Sequence, residues 1–159
     1  MERYLASMES PVGRLVLVSD ETCLKSVLFS DEPVDSQVPL PGILQKTIDQ
    51  LTEYFAGSRT VFDLALDPDG TEFQKRVWRQ LQQVPWGTTR SYRDVALELG
   101  SLLSIRAVGM ANGKNPIAII IPCHRIIGSD GKLVGYAGGL ERKKWLLLHE
   151  AKQQQGRLF

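Results

Sequence analysis

The chain has 159 residues, 43% of them hydrophobic, which is enough for one sizeable core or two small ones. It has no run of about eighteen apolar residues and no apolar run behind a basic amino terminus, so we expect no membrane span, no secretion signal and a cytoplasmic location. Only two cysteines and two histidines are present. We therefore expect no structural disulfide, no metal site and no cofactor.

Charge is unevenly distributed along the chain. Residues 1–72 hold 5 Lys and Arg against 13 Asp and Glu, whereas residues 73–159 hold 14 against 5. A basic half suggests that it faces a polyanion, most commonly nucleic acid. A basic face that only maintains solubility is the alternative at this point.

The first half has the pattern of a small sheet with one helix. Three short β-type runs lie at residues 4–6, 15–18 and 24–29. Apolar residues at helical spacing over 44–55 then predict a helix that Gly57 ends.

A further strand and a domain boundary follow. Alternating apolar residues over 61–66 predict the strand. Asp67–Gly70 has turn composition, and the charge changes sign just after it. We therefore place one domain at 1–70 and a second at 71–159.

The second domain begins with helices. Thr71 and Gln74 form a capping-box pattern before a helix that Pro85 ends. Ser91 and Asp94 have the spacing to cap a second, short helix.

Gly100 would close that short helix, and a third helix is expected around 104–112. Two short helices about a tight turn in the basic half are typical of a helix-turn-helix, although many helical hairpins bind nothing. A final helix is predicted over 140–152.

The continuous apolar run 117–121 predicts a buried extended segment that leads directly into the sequence Pro-Cys-His-Arg. Cys123 in that sequence is a candidate nucleophile, because His124 can serve as its base and Arg125 can favour the thiolate. Glu150, in the final helix, is the best candidate to orient the imidazole. Cys23 is a lone cysteine in a strand, so we expect inert packing there.

Three stretches then carry a specific resemblance: RAVGMANG at 106–113, NPIAIIIPCHRII at 115–127 and GYAGGL at 135–140. Together with FQKRVW at 73–78 and the segment 85–92, they resemble the O6-alkylguanine-DNA alkyltransferase family. The close match covers residues 71–159, and the acidic front half resembles the more variable amino-terminal domain of that family.

The resemblance implies an α/β (α+β) protein: a ribonuclease-H-like sheet-plus-helix domain, followed by a mostly helical, winged-helix or helix-turn-helix-like domain that binds the DNA minor groove. It implies repair of O6-alkylguanine, and of O4-methylthymine, in double-stranded DNA by one irreversible alkyl transfer to Cys123. The target nucleotide is flipped out, since O6 is unreachable inside the duplex. A monomer in solution, cooperative on DNA and associated with the nucleoid, is the expected state.

The resemblance also assigns roles to residues. Cys123 attacks the alkyl carbon, His124 takes the thiol proton through a water, and Glu150 orients His124. Asn115 braces the turn that holds them. Tyr92 rotates the nucleotide phosphate and offers a proton to the purine as guanine leaves.

DNA contacts and pocket residues are implied as well. Arg106 fills the gap that the flipped base leaves. The expected DNA-contacting residues are Arg106, Ala107, Gly109, Ala111, Asn112 and Tyr92. The expected pocket residues are Cys123, Ile126, Tyr136 and Ala137.

One segment departs from the family pattern, and three other interpretations compete. Ser101–Ser104 stands where the family often has an Asn-Pro-type turn, which affects one expected phosphate contact. A Cys-His hydrolase or acyltransferase would need an oxyanion hole and would turn over. A non-catalytic lesion binder would lack the nucleophile, and a DNA-binding regulator would form no covalent product.

Overall fold

The structure is a computed structural model, which describes residues 2–32, 34–35, 39–100 and 105–156, with side chains up to residue 152. The chain divides into two compact units, Met1–Asp69 and Gly70–Phe159.

The first unit is a small sheet covered by a helix. It contains the three predicted strands, β1 (Tyr4–Met8), β2 (Leu15–Ser19) and β3 (Leu24–Phe29), which are antiparallel and pair in chain order. Ala6, Leu17 and Val27 lie opposite one another across the three strands and are fully buried. They form the apolar face that packs on a helix.

That helix is α1 (Gly42–Ala56), which contacts all three strands. Leu44 and Leu51 of the apolar residues that predicted it are fully buried, as is Tyr54, whereas Ile48 and Phe55 are partly exposed. Gly57 ends it at φ 84°, a left-handed conformation that glycine adopts without strain.

The prediction of a strand over residues 61–66 is wrong. Exposure alternates along this segment as in a strand, but its only ladder contact is a single bridge between Leu66 and Leu24. The Gln50 side chain donates to the Asp63 carbonyl (3.0 Å) and accepts from the Asp63 N–H (2.9 Å). Because a side chain satisfies this backbone, no strand pairing forms there.

The second unit is mostly helical. Its elements are α2 (Glu72–Leu81), β4 (Arg90–Ser91), α3 (Tyr92–Glu98), α4 (Ile105–Gly113), β5 (Ile126–Ile127) and α5 (Leu140–Gly156). Both predicted capping boxes are confirmed, at the starts of α2 and α3. The buried Trp78 of α2 donates its indole N–H to the carbonyl of Ala111 in α4 (2.8 Å), which joins these two helices.

The fold class is therefore mixed α and β as predicted, with a small sheet domain followed by a helical domain. The Ser101–Ser104 departure lies outside the described residues. None of the helices in the described ranges has the length and apolar character needed to cross a bilayer.

The run 117–121 is buried as predicted, but it is not extended. It turns back on itself, with the N–H of Ile121 donating to the carbonyl of Ile117 (3.1 Å). Ile119 has φ 71°, which is costly for a β-branched residue. Asn115 holds this turn: its side chain donates to the carbonyls of Ile117 and Ile121 and accepts from the Ile117 N–H.

A short parallel ladder ties two functional segments together. Arg90 and Ser91 of β4 pair with Ile126 and Ile127 of β5. Since Tyr92 follows β4 directly and β5 follows Arg125 directly, this ladder sets the start of α3 beside the Pro-Cys-His-Arg turn.

Candidate active site and nucleic-acid interface

The Pro-Cys-His-Arg sequence forms a buried 3₁₀ helix, Cys123–Arg125. Cys123 is 5% exposed, His124 is fully buried, and Arg125 is 6% exposed. The tight turn formed by 117–121 delivers this helix from the core, so the backbone that carries the thiol is rigidly supported.

Glu150 of α5 joins the histidine and the arginine of this turn. Its Oε2 lies 2.6 Å from His124 Nε2, and its Oε1 accepts from Arg125 Nε at 2.7 Å. Arg125 also donates to Oε2 (3.1 Å) and to the carbonyl of Val84 (2.7 Å). All of these groups are buried, so each hydrogen bond fixes its partner in one orientation.

The protonation states follow from burial and pairing. Burial lowers the pKa of His124 although Glu150 opposes this, so the imidazole is neutral. Burial raises the pKa of Glu150 on its own, but His124 and Arg125 outweigh it and hold that pKa well below its usual value. A neutral His124 must donate its Nε2–H to the Glu150 carboxylate, which leaves Nδ1 as a proton acceptor.

Nδ1 is buried and has no hydrogen-bond partner in the part of the chain that the structure describes. A buried acceptor without a protein partner is unusual. The adjacent residue in the chain is Cys123, whose thiol is the neighbouring source of a proton. The arrangement can therefore accept a proton during a reaction of the thiol.

Cys123 itself differs from the sequence-based expectation. Burial raises the pKa of its thiol, while a hydrogen bond from Asn115 and the charge of Lys143 act to lower it. The expectation that Arg125 favours the thiolate is wrong, because the Arg125 guanidinium is already paired with Glu150. Lys143, which the sequence analysis did not single out, is instead the cation whose charge acts to lower the pKa of the Cys123 thiol.

Tyr92 and the segment 134–137 lie close to this turn. The Tyr92 hydroxyl donates to the carbonyl of Val134 at 2.9 Å. The pKa of Tyr92 and that of Tyr136 are raised, first by burial and then by the Cys123 charge. Of the other expected pocket residues, Ile126 is fully buried and Ala137 is exposed.

Only part of the predicted DNA-contacting set is on the surface. Arg106 and Ala107 are exposed on α4, and Gly109 is half-buried. Ala111 and Asn112 are buried at 3% and 4% exposure, so the prediction that these two contact DNA is wrong.

The physical reason is the helical repeat. Residues 111 and 112 fall on the core side of α4 with Val108, and Asn112 donates to the carbonyl of Cys123 (3.5 Å). The outward face instead carries Met110, which is 65% exposed, and the exposed Lys114 follows the helix.

The sequence analysis missed Lys143 and misread Arg125, and the buried position of Lys143 has a recognisable signal. Lys143 and Glu150 lie seven residues apart on α5, on the same side as the fully buried Leu146. Ionisable residues in the buried register of an amphipathic helix are rarely neutral packing. The pairing of Arg125 has no such signal, because nothing in the sequence spacing indicates that it contacts Glu150.

Among the residues that the structure describes, no group of three or more His, Cys, Asp or Glu side chains is arranged to hold a metal ion.

Two family models match the chain. Residues 3–68 match the ribonuclease-like domain of 6-O-methylguanine DNA methyltransferase, and residues 72–152 match the DNA binding domain of the same family.

Individual relatives match over nearly the whole length. The methylated-DNA–protein-cysteine methyltransferase of Methanosarcina acetivorans is 48% identical, over 91% of this chain and 96% of the relative. The crystal structure of Mycobacterium tuberculosis O6-methylguanine methyltransferase gives a TM-score of 0.86 at 43% identity, covering 96% of this chain and 94% of that one. The crystal structure of Mycobacterium tuberculosis OGT in complex with DNA gives 0.84 at 46% identity, covering 92% of each chain.

Proposed function

Because this chain belongs to the 6-O-methylguanine DNA methyltransferase family, we propose that it repairs O6-alkylguanine in double-stranded DNA by transferring the alkyl group to its own Cys123. The observation that carries this assignment is the buried cluster of Cys123, His124, Glu150 and Arg125. O4-methylthymine, which presents the same kind of alkylated oxygen, is the expected second substrate.

The reaction begins with removal of the thiol proton. His124 accepts it at Nδ1 through a water, and the Glu150 carboxylate stabilises the imidazolium that forms. The Cys123 sulfur then attacks the alkyl carbon, the bond from that carbon to O6 breaks, and guanine keeps the electron pair. Tyr92 gives the purine a proton, for which its hydroxyl must leave the Val134 carbonyl.

The product explains why one protein repairs one base. A thioether carbon is not attacked by water at a useful rate, and no group of the cluster is placed to return the free thiol. The enzyme is therefore a single-turnover methyltransferase that ends as the S-alkyl protein.

DNA binding is assigned to the outward face of α4. Arg106 and Lys114 supply positive charge, and Ala107 is small enough for the helix to lie close to the minor groove. Met110, at the centre of this face, would contact the sugar rings of the groove. We expect a monomer that binds DNA cooperatively, in the cytoplasm at the nucleoid.

Cys123 can be tested directly against Cys23 as its matched control. Incubation with a duplex carrying one O6-methylguanine should add one methyl group per protein, and peptide mapping should find it on Cys123. Cys123→Ala should abolish the mass change, whereas Cys23→Ala should leave it intact. Multiple turnovers, or a methyl group on Cys23, would contradict the proposal and favour a hydrolase-type or different chemistry.

The role of Arg106 can be tested by measuring base flipping separately from the alkyl-transfer step. Its guanidinium would replace the flipped base in the stack and stabilise only the extruded state, whose formation costs a few kcal/mol. Arg106→Ala should therefore slow transfer from duplex DNA about a hundredfold or more, but leave the reaction with free O6-benzylguanine unchanged.

Lys114→Ala is the comparison on the same face, since the loss of a phosphate contact should chiefly lower the salt dependence of binding, by about one unit of slope. Equal losses on duplex and free base for Arg106→Ala would show that Arg106 supports the pocket instead.

A further inference from the structure

Lys143 of α5 is a fully buried ammonium that the mechanism above does not use. Its Nζ donates to two backbone carbonyls, those of Val134 and Gly135, each at 3.0 Å. It also lies 5.9 Å from the centroid of the Tyr92 ring. Among the described residues, no carboxylate lies close enough to Lys143 Nζ, 4.0 Å or less, to form an ion pair with it.

A buried ammonium without a counter-ion is costly, because the desolvation of its charge is not repaid. Burial accordingly lowers the pKa of Lys143 to about 8, and the only charge that acts to raise it is that of Cys123. The same interaction acts in reverse, since Lys143 opposes the effect of burial on the pKa of the Cys123 thiol. The two groups therefore stabilise each other's charged forms.

The other ionisable groups near the site do not provide a counter-charge. Arg125 is paired with Glu150, so its charge is already compensated. The interaction with Lys143 further lowers the pKa of His124, which keeps the base neutral. Tyr92 and Tyr136 have raised pKa values, first from burial, and stay uncharged.

We propose that Lys143 is a positioning residue for alkyl transfer: its ammonium is the counter-ion of the Cys123 thiolate, and its two hydrogen bonds hold Val134 and Gly135 in front of the guanine pocket. The proposal rests on the function assigned above. The thiol gives its proton to His124, and the resulting thiolate is paired with Lys143 until the bond between sulfur and the alkyl carbon forms. Lys143 keeps its proton throughout and transfers none.

The second part of the role follows from a shared acceptor. The Val134 carbonyl accepts from both the Tyr92 hydroxyl and Lys143 Nζ. When Tyr92 turns to the purine, only the lysine still holds this carbonyl. Lys143 thus keeps the segment in place in the state in which Tyr92 donates to the substrate.

The test is the pH dependence of Cys123 alkylation, with iodoacetamide and, separately, with free O6-benzylguanine, followed by intact mass. Lys143→Met should raise the apparent pKa of the thiol by about one unit or more, so that both reactions slow about tenfold near neutral pH. Lys143→Arg keeps the charge and should restore the pH profile to within about threefold of wild type. Lys144→Met removes an exposed lysine beside it on the same helix and should change nothing.

A lysine with only a structural role would raise the KM for O6-benzylguanine and leave the iodoacetamide pH profile unmoved, and that result would overturn the proposal. If Lys143→Met fails to fold, the effect of Cys123 on the pKa of Lys143 tests the pairing instead. In Cys123→Ala the pKa of Lys143, followed by NMR of its labelled side chain, should fall, and an unchanged value would refute the pairing. Because iodoacetamide needs no guanine recognition, a shifted iodoacetamide profile in a protein inert to O6-benzylguanine would support Lys143 while rejecting the proposed function.

Discussion

Among the described residues, each unit of the molecule buries one lysine, and the two lysines have opposite electrostatic surroundings. In the first unit Lys25, 7% exposed, contacts Asp67 at 2.8 Å and Asp69 at 3.1 Å. The hydrogen bond to Asp67 raises the pKa of Lys25 although burial opposes it. In the second unit Lys143 has backbone carbonyls as hydrogen-bond partners, and burial lowers its pKa to about 8.

This difference in partners distinguishes a buried charge that serves the fold from a buried charge that serves the reaction. Paired charges hold a fold together at little net gain or cost. A charge that stays buried without its counter-ion is a stability cost that persists only where a function needs it. In the second unit the missing counter-ion is the thiolate that the reaction must produce.

The largest expected effect comes from converting a paired cation of the second unit into an unpaired one. Glu150→Gln would leave Arg125 buried without its carboxylate, which should lower the free energy of unfolding by about 3–5 kcal/mol. Alkyl transfer should slow as well, because His124 loses the charge that stabilises its imidazolium. Urea unfolding and single-turnover rates measure the two effects.

Glu141→Gln, on an exposed position of the same helix, is the matched control and should shift stability by less than about 0.5 kcal/mol. If Glu150→Gln and Glu141→Gln were equally stable, burial of the Arg125 guanidinium would not depend on its pairing with Glu150. The distinction between paired and unpaired buried charges would then fail.

Lys143→Met should give a smaller effect on stability that depends on pH. The pKa of Lys143 is about 8 in the folded protein against an ordinary value of 10.5 for a lysine, so the unfolded chain binds more protons between these values. Stability of the wild type therefore rises through this window. Between about pH 7 and about pH 9.5 the difference in free energy of unfolding should move in favour of the wild type by roughly 2 kcal/mol.

Urea titrations at the two pH values, with Lys144→Met as the control, measure that change. A difference that stays constant would mean that Lys143 is not a destabilised cation in the folded state.

Local patterns predicted most of the elements and the nucleophile. The capping boxes at Thr71 and Ser91, the stop at Gly57 and the three strands depend on neighbouring residues, and all were found. The association of His124 with Glu150 was expected from the residue types and again from the family resemblance, and the structure brings them to 2.6 Å.

The failures depend on hydrogen bonds from side chains to the backbone, which a pattern of apolar residues does not contain. Gln50 satisfies the backbone of the 61–66 segment from thirteen residues away. The polar side chain of Asn115 bends the apolar run 117–121. The choice of Glu150 as partner for Arg125 was likewise invisible, because only the fold brings α5 to the turn.

The smallest effect is expected for Lys25→Met, and it completes the contrast with Lys143. Asp67 and Asp69 are 55% and 69% exposed, so water can solvate both carboxylates when the lysine is removed. The loss of stability should therefore be at most about 1 kcal/mol.

The sign of its pH dependence is opposite to that of Lys143. Because the folded pKa of Lys25 is raised above 10.5, its contribution is fully present below that value and is lost only as pH rises through the folded pKa. The difference between wild type and Lys25→Met should thus stay constant between about pH 7 and about pH 9.5, where that for Lys143→Met changes. Urea titrations at both pH values measure this, and the rate of methyl transfer, which does not involve Lys25, should be unaltered. A pH-dependent difference, or a slower transfer, would show that Lys25 too is held in a functional state and that pairing alone does not separate the two lysines.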